Sequence, residues 1–347
     1  MEHWQKSLAA SITSLDELAD RYPIDIDPLK PVVERFPIRI TRYYLNLIQK
    51  VDDPIWHQCV PDRRELENNH LPADPLNEAE LSPVPGVIHR YPDRVVLLVS
   101  SVCPTFCRFC MRKRWVGCHG GLKADDQIDG GLKYIERTPA IRDVILSGGD
   151  PLLLSDEELQ NILARLHKIP HLEMIRINTR TPVTLPDRIT SRLCRMLKRC
   201  HPLYVNTHFN HPSEITPQAA EACARLADAG IPLGNQTVLL KDVNDDPIVM
   251  KDLMQKLLTI RVRPYYIHQM DLVQGTGHFR TSIEQGLKVM AGLRGHTSGM
   301  ATPYYVIDLP GGKGKVPILP EDVKRQGHTF FLRNYLGEVI EYHENGE

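Results

Sequence analysis

The chain predicts an α/β fold: a partial barrel of six βα units, set between a helical N-terminal extension and a small β-rich C-terminal cap. Three observations carry this reading. From Arg94 onward, short runs rich in β-branched residues, RVVLLVS, DVILSGG, EMIRINT, LYVNTHF, PLGNQTVLL and RPYYIHQ, alternate with amphipathic stretches such as DEELQNILARLHKI. That rhythm belongs to parallel strands joined by crossover helices. Six units suit an open barrel better than a closed ring of eight, and in either case chemistry gathers at the C-terminal ends of the strands. Finally, the rhythm is absent on both flanks.

Residues 1–84 read as helices interrupted by Pro-rich polar segments, with an apolar helical face over Thr41 to Gln49 and a long connector, PADPLNEAELSPVPG. Residues 85–299 hold the six units. Residues 300–347 turn to short strands and loops, PYYVIDLPGGKGKVPILP and TFFLRNYLGEVIEYH, which predict the cap. With 347 residues and 42% apolar composition the chain can bury a full core. Lys plus Arg number 42 against 43 Asp plus Glu, so no excess positive field exists to hold nucleic acid or an anionic membrane. The N-terminus carries no apolar signal region, and the longest apolar run, VVLLVSSV, is too short to span a bilayer. A cytoplasmic protein is expected.

Eight cysteines are too sparse for a disulfide scaffold, yet Cys103, Cys107 and Cys110 crowd into SSVCPTFCRFCMRKR directly after the first barrel strand. Three soft thiolates without a fourth suit an iron–sulfur cubane with one iron left open to a small molecule. The rival readings are a buried helical face, which Pro104 and the RKR run oppose, and a structural zinc with a distant fourth ligand. At the end of the second strand, LSGGDP places Gly148, Gly149 and Asp150, where backbone can approach a ligand and a carboxylate can accept from an ammonium. His208 and Gln236 end the fourth and fifth strands. The loop DLPGGKGK, Asp308 to Lys315, is not a phosphate-binding P-loop: Leu309 stands where that motif needs Gly and Val316 where it needs Ser or Thr. A lysine in such a glycine loop can instead present an amine to a carbonyl cofactor.

With these motifs in place, the chain resembles the lysine 2,3-aminomutase family of radical S-adenosylmethionine (SAM) enzymes. The resemblance runs from TRYYLNLI through VPGVIHRYPDRV, the cysteine motif, LSGGDPLLLSDE, INTRTPV, VNTHFNHPSEIT, NQTVLL, RVRPYYIHQMDL, GHFRTSIEQGL and DLPGGKGK to FLRNYLGEVIEY. It implies a radical SAM barrel, with Cys103, Cys107 and Cys110 on a 4Fe-4S cluster and SAM contacted by Phe109, Gly148, Gly149, Asp150, His208 and Gln236. Lys315 then holds pyridoxal 5′-phosphate (PLP), which Arg90, Tyr91 and Arg94 also contact. Arg112 takes the substrate carboxylate, and Asp271 with Asp308 takes the side-chain ammonium. The implied reaction converts L-lysine to β-lysine through a 5′-deoxyadenosyl radical, with SAM regenerated and a flavodoxin- or ferredoxin-type electron donor. Arginine, glutamate or a lysine of elongation factor P stand as alternative substrates, a non-catalytic metal-binding protein as the alternative class, and a homo-oligomer is allowed. One departure is plain. Family members carry a structural zinc on a mid-chain cysteine and a C-terminal cysteine cluster, whereas here Asp246 stands in the VNDD stretch and no cysteine follows Cys223, so no structural zinc is expected.

Overall fold

A computed structural model describes residues 2–67, 70–117, 124–320, 322–327 and 329–343. Nine strands form one sheet in chain order: β1 (Val87–Tyr91), β2 (Arg94–Ser100), β3 (Asp143–Gly148), β4 (Met174–Asn178), β5 (Leu203–Thr207), β6 (Leu233–Leu239), β7 (Arg263–Gln269), β8 (Tyr304–Asp308) and β9 (Lys315–Pro317). The run β2 to β8 is parallel, and β1 and β9 are antiparallel edges. The six runs read as strands in the sequence are β2 to β7. In β6 the alternation is strict: Leu233, Asn235, Thr237 and Leu239 face the helical layer, while Gly234, Gln236 and Val238 face the other way, toward the barrel interior. A strand's period of two is what sets Gln236 on that side.

The outer layer follows from helical periodicity. The helices Asp156–Leu166, Pro217–Asp228, Pro247–Thr259 and Ile283–Leu293 bury residues at spacings of three and four: Leu159, Ile162, Leu163 and Leu166 in the first, and Met250, Leu253, Met254 and Leu257 in the third. Truncating a fully buried leucine such as Leu163 to Ala would cost about 2–5 kcal/mol. Each helix starts at a side chain that accepts from its exposed N–H groups: Ser155, Thr216, Asp246 and Ser282. Asp246 is thereby a helix cap, accepting from Ile248 N at 2.6 Å.

The sheet curls until its first strand faces its eighth, and Arg90 Nη1 of β1 donates to Asp308 Oδ1 of β8 at 2.9 Å. Side chains close that gap; among the described residues no ladder joins β1 to β9. The fold is therefore a partial barrel. Its sheet continues past residue 300 into β8 and β9, and only β10 (Val323–Gln326), β11 (Thr329–Arg333) and β12 (Val339–His343) form a separate antiparallel sheet.

The N-terminal extension is helical but more broken than its periodicity suggests. The helix expected over Thr41 to Gln49 spans only Arg42–Leu45. Asp53 explains why: its Oδ2 accepts from Gln49 N at 2.7 Å, while its Oδ1 caps the next helix, Pro54–Cys59, through Ile55 N and Trp56 N. The carboxylate thus captures the N–H groups of Gln49 and Lys50, which a longer first helix would have used internally, and starts a new helix a few residues on.

Candidate active site

The cysteine loop leaves β2 and is fixed from two sides. On one side lies the glycine turn ending β3. Gly148 has φ +126°, and a Cβ there would stand 2.2 Å from Ser100 O; at Gly149 it would stand 2.4 Å from Val102 O. Only glycine permits the resulting bonds, Gly149 N to Ser100 O at 2.5 Å and Asp150 N to Val102 O at 2.8 Å. The close approach inferred from GGDP is therefore made, at least in part, to the cysteine loop itself. On the other side, Arg108 is 1% exposed and forms a double hydrogen bond to Glu65, at 2.8 and 2.6 Å. Lys113 adds a third cationic bond, to Glu65 Oε2 at 2.6 Å.

Cys103, Cys107 and Cys110 stand round a common cavity of about 260 Å³. They do not converge on a point: among the described residues, no three His, Cys, Asp or Glu side chains group as ligands of a single ion. A cubane takes each thiolate on a different iron and so spaces its ligands more widely than a mononuclear site does. Burial pushes the Cys110 thiol up to about 11, and burial with the neighbouring Asp150 carboxylate pushes Cys103 well above its ordinary range. Thiols held back in this way, as Cys103 and Cys110 are, ionise together only against a strongly cationic group, which is what a cluster supplies. The donor set fits.

The same cavity is lined by Phe109, Gly148, Gly149, Asp150, His208 and Gln236. Phe109 is buried, edge-on to His208 with ring centroids 5.5 Å apart. Burial, reinforced by the nearby Arg180 charge, keeps His208 neutral. Asp150 is buried and already engaged, accepting from Leu152 N at 3.1 Å, Thr179 Oγ1 at 2.7 Å and Arg180 N at 2.8 Å.

A second cavity, about 750 Å³, shares Arg112, Ser147, Gln236, His268 and Asp308 with the first, so the two adjoin across a common wall. Arg90, Tyr91, Arg94 and Lys315 line it. Lys315 and Asp308 are direct partners in the β8–β9 ladder. Opposed residues of an antiparallel pair share a face, and Lys315 Nζ donates to Asp308 Oδ2 at 2.6 Å. The turn between them needs its glycines: Gly312 has φ +73°, and a Cβ there would stand 2.4 Å from Leu76 O. Burial lowers the Lys315 ammonium despite the Asp308 charge beside it. Burial opposes ionisation of Asp308 too, but the His268 hydrogen bond and the Lys315 charge hold it well below the usual carboxylate range. Asp271, lining the inner cavity with Asp308, goes the other way: burial and the Asp308 charge raise it to about 7. Arg90 Nε and His268 Nε2 are buried without a partner among the described groups, as expected where a bound group completes the site. An amine, two guanidinium groups and orphaned donors around a cavity of this size fit a phosphorylated aldehyde.

Three contributors were not legible in the sequence. Glu78, 2% exposed, grips Arg112 through Nη2 at 2.7 Å and Nε at 3.2 Å, although it sits in the Pro-rich connector. His268, in YYIHQM, places Nδ1 3.3 Å from Lys315 Nζ. Arg180, inside INTRTPV, donates to Cys107 Sγ at 2.8 Å. A charged residue just past β4 was the one available signal for Arg180; Glu78 and His268 left none.

Residues 97–254 match the Radical SAM superfamily model and residues 290–347 the Lysine-2,3-aminomutase model. An L-lysine 2,3-aminomutase of Fusobacterium nucleatum is 49% identical over 346 residues, covering 98% of this chain and 81% of that protein. One from Clostridium subterminale is 48% identical over 348 residues, covering 98% and 84%. A glutamate 2,3-aminomutase of Clostridioides difficile is 45% identical over 343 residues, covering 97% and 81%. Because identity near one half extends over almost the whole chain and the thiol cavity adjoins the Lys315 cavity in one barrel, this protein belongs to the lysine 2,3-aminomutase family of radical SAM isomerases.

Proposed function

We propose that this chain moves the amino group of L-lysine from C2 to C3, giving β-lysine. The observation that carries the reading is the carboxylate pair Asp271 and Asp308, which both line the thiol cavity and whose charges act on each other, Asp308 also facing Lys315. Two carboxylates close together resist joint ionisation unless a cation joins them. The lysine side-chain ammonium is such a cation, whereas the side chain of glutamate would add a third negative charge.

Cys103, Cys107 and Cys110 would hold the 4Fe-4S cluster, with SAM beside Phe109, Gly148, Gly149, Asp150, His208 and Gln236, and Lys315 with Arg90, Tyr91 and Arg94 would hold PLP. When bound, cluster and SAM supply one-electron chemistry, and PLP supplies a π-system that delocalises an unpaired electron. The chain's own residues do the positioning. Asp308 aims Lys315 Nζ into the cavity, and burial favours the neutral, nucleophilic amine. His268, kept neutral by burial, places Nδ1 3.3 Å from both Lys315 Nζ and Asp308 Oδ2 and so helps fix the position of this pair. Glu78 fixes Arg112 so that its fork meets the substrate carboxylate in one orientation. A flavodoxin- or ferredoxin-type electron donor and a reducing cytoplasm suit the half-buried free thiols of Cys103, Cys107 and Cys110. Among the described residues no helix is long and apolar enough to cross a membrane.

The test is anaerobic turnover of lysine, arginine, glutamate and alanine by the reconstituted enzyme. Lysine should lead by at least tenfold in kcat/KM; a glutamate preference would overturn the carboxylate argument.

A further inference from the structure

We propose that Arg180 is a positioning residue for the cluster, a fixed cationic donor on Cys107 that raises the cluster's reduction potential. The inference rests on the reading that Cys103, Cys107 and Cys110 hold a 4Fe-4S cluster, and it goes beyond that reading to a residue outside the thiolate set.

The geometry is specific. Arg180 sits just past β4 and is 8% exposed. Its Nη2 is held by Glu214 Oε1 at 2.7 Å, Gln58 Oε1 at 2.6 Å and Tyr44 Oη at 3.0 Å, and its Nε by His208 O at 3.2 Å. Glu214, Gln58 and Tyr44 are each 0% exposed. Its own backbone N is tied to Asp150 Oδ2 at 2.8 Å. Glu214 is enough to compensate the buried charge. What that compensation does not account for is the remaining arm, Nη1, directed at Cys107 Sγ at 2.8 Å. A guanidinium anchored at every other position cannot turn away, so the donor is pre-aimed at the sulfur.

A charge-assisted N–H to a ligand sulfur stabilises negative charge there. Adding an electron makes the cluster and its thiolates more negative, so the bond strengthens on reduction and the reduced state gains more than the oxidised one. Arg180 therefore makes the cluster easier to reduce.

The experiment uses anaerobically purified holoenzyme as wild type, Arg180→Lys and the charge-neutral double variant Arg180→Gln/Glu214→Gln, which leaves no buried carboxylate unpaired. Iron content, an EPR-monitored redox titration and SAM binding are measured. At the wild-type midpoint the reduced-to-oxidised ratio should fall at least tenfold in the double variant, which for one electron is 59 mV. Arg180→Lys, which keeps the charge, should recover part of the shift. In wild type labelled with guanidino-¹⁵N arginine, pulsed EPR of the reduced cluster should show a ¹⁵N coupling that Arg180→Lys abolishes, and this result stands even if the double variant does not fold. An unchanged potential at full iron loading, or no ¹⁵N coupling, would overturn the proposal. So would loss of SAM binding at unchanged potential, because Arg180 would then be a SAM contact. Wild type without iron would instead overturn the cluster reading beneath it.

Discussion

Replacing Asp271 by Asn should weaken lysine turnover and strengthen the ligand-free protein at the same time. Asp271 is raised from its ordinary 3.8 to about 7 by burial and by the Asp308 carboxylate, with Lys315 and Arg90 opposing and Glu78 adding to the rise. The folded chain therefore keeps a proton that the unfolded chain has released, and stability falls as pH rises from 3.8 toward 7, then levels. At about 1.36 kcal/mol per pH unit the interval sets an upper limit of roughly 4 kcal/mol on what the ionised carboxyl costs at pH 8. Asn removes that cost, so the ligand-free variant should melt a few degrees higher than wild type at pH 8, with a smaller gain at pH 5. A cationic substrate reverses the balance, since it binds the ionised form. Wild-type kcat/KM for lysine should therefore fall about tenfold per unit below pH 7, an acid limb that Asp271→Asn should lack. Losing one partner of a buried charge pair costs on the order of 2–5 kcal/mol, so the variant's kcat/KM at pH 8 should drop roughly 30- to several-thousand-fold. Full lysine activity in Asp271→Asn, or an acid limb that survives in it, would refute the reasoning.

Three further outcomes follow from the same geometry. Cys103→Ala, Cys107→Ala and Cys110→Ala should each lose iron and activity together, whereas Ala at Cys59, Cys194, Cys200 or Cys223 should leave iron content unchanged, as iron analysis will show. Borohydride reduction of the PLP-loaded enzyme followed by peptide mapping should label Lys315 and not Lys313, which is exposed while its neighbour two residues on opposes Asp308 in the ladder. Glu65→Gln should cost about 3–5 kcal/mol by leaving Arg108 and Lys113 without their shared acid, read as a lower melting temperature and lower iron retention; normal values for both would mean that the cysteine loop does not depend on this acid.

The sequence made legible what is local and periodic. The strands β2 to β7 and the helices behind them follow from apolar spacing, and the cysteines and glycine loops carry their chemistry within a few residues. The Asp308–Lys315 contact lay within reach, seven residues apart across a glycine turn, but the periodicity of so short a hairpin does not give its register. Pairings made across the barrel were illegible for a physical reason. Arg180 meets Glu214 and Gln58, and Arg112 meets Glu78, over sequence separations of 34, 122 and 34 residues. No local pattern encodes which acid will face which base. The shortened helix at Arg42–Leu45 failed similarly: its apolar face was real, but Asp53 competed for its backbone donors.

Those long-range pairings also decide what the first 84 residues are. Read by composition they are an appendage to the barrel, yet the cysteine loop's cations depend on them. Glu65 neutralises Arg108 and Lys113, Glu78 neutralises Arg112 and Arg114, and Tyr44 and Gln58 hold Arg180. Both glutamates are at most 2% exposed, so each removal strands buried charge at about 3–5 kcal/mol. Two such losses amount to roughly 6–10 kcal/mol against a typical total stability of about 5–15 kcal/mol. A chain beginning at β1 would retain Cys103, Cys107, Cys110 and Lys315 and still be unable to keep the cysteine loop in place. The extension is therefore part of the active site's scaffold, supplying the acids that let a loop dense in arginine and lysine fold against three thiols.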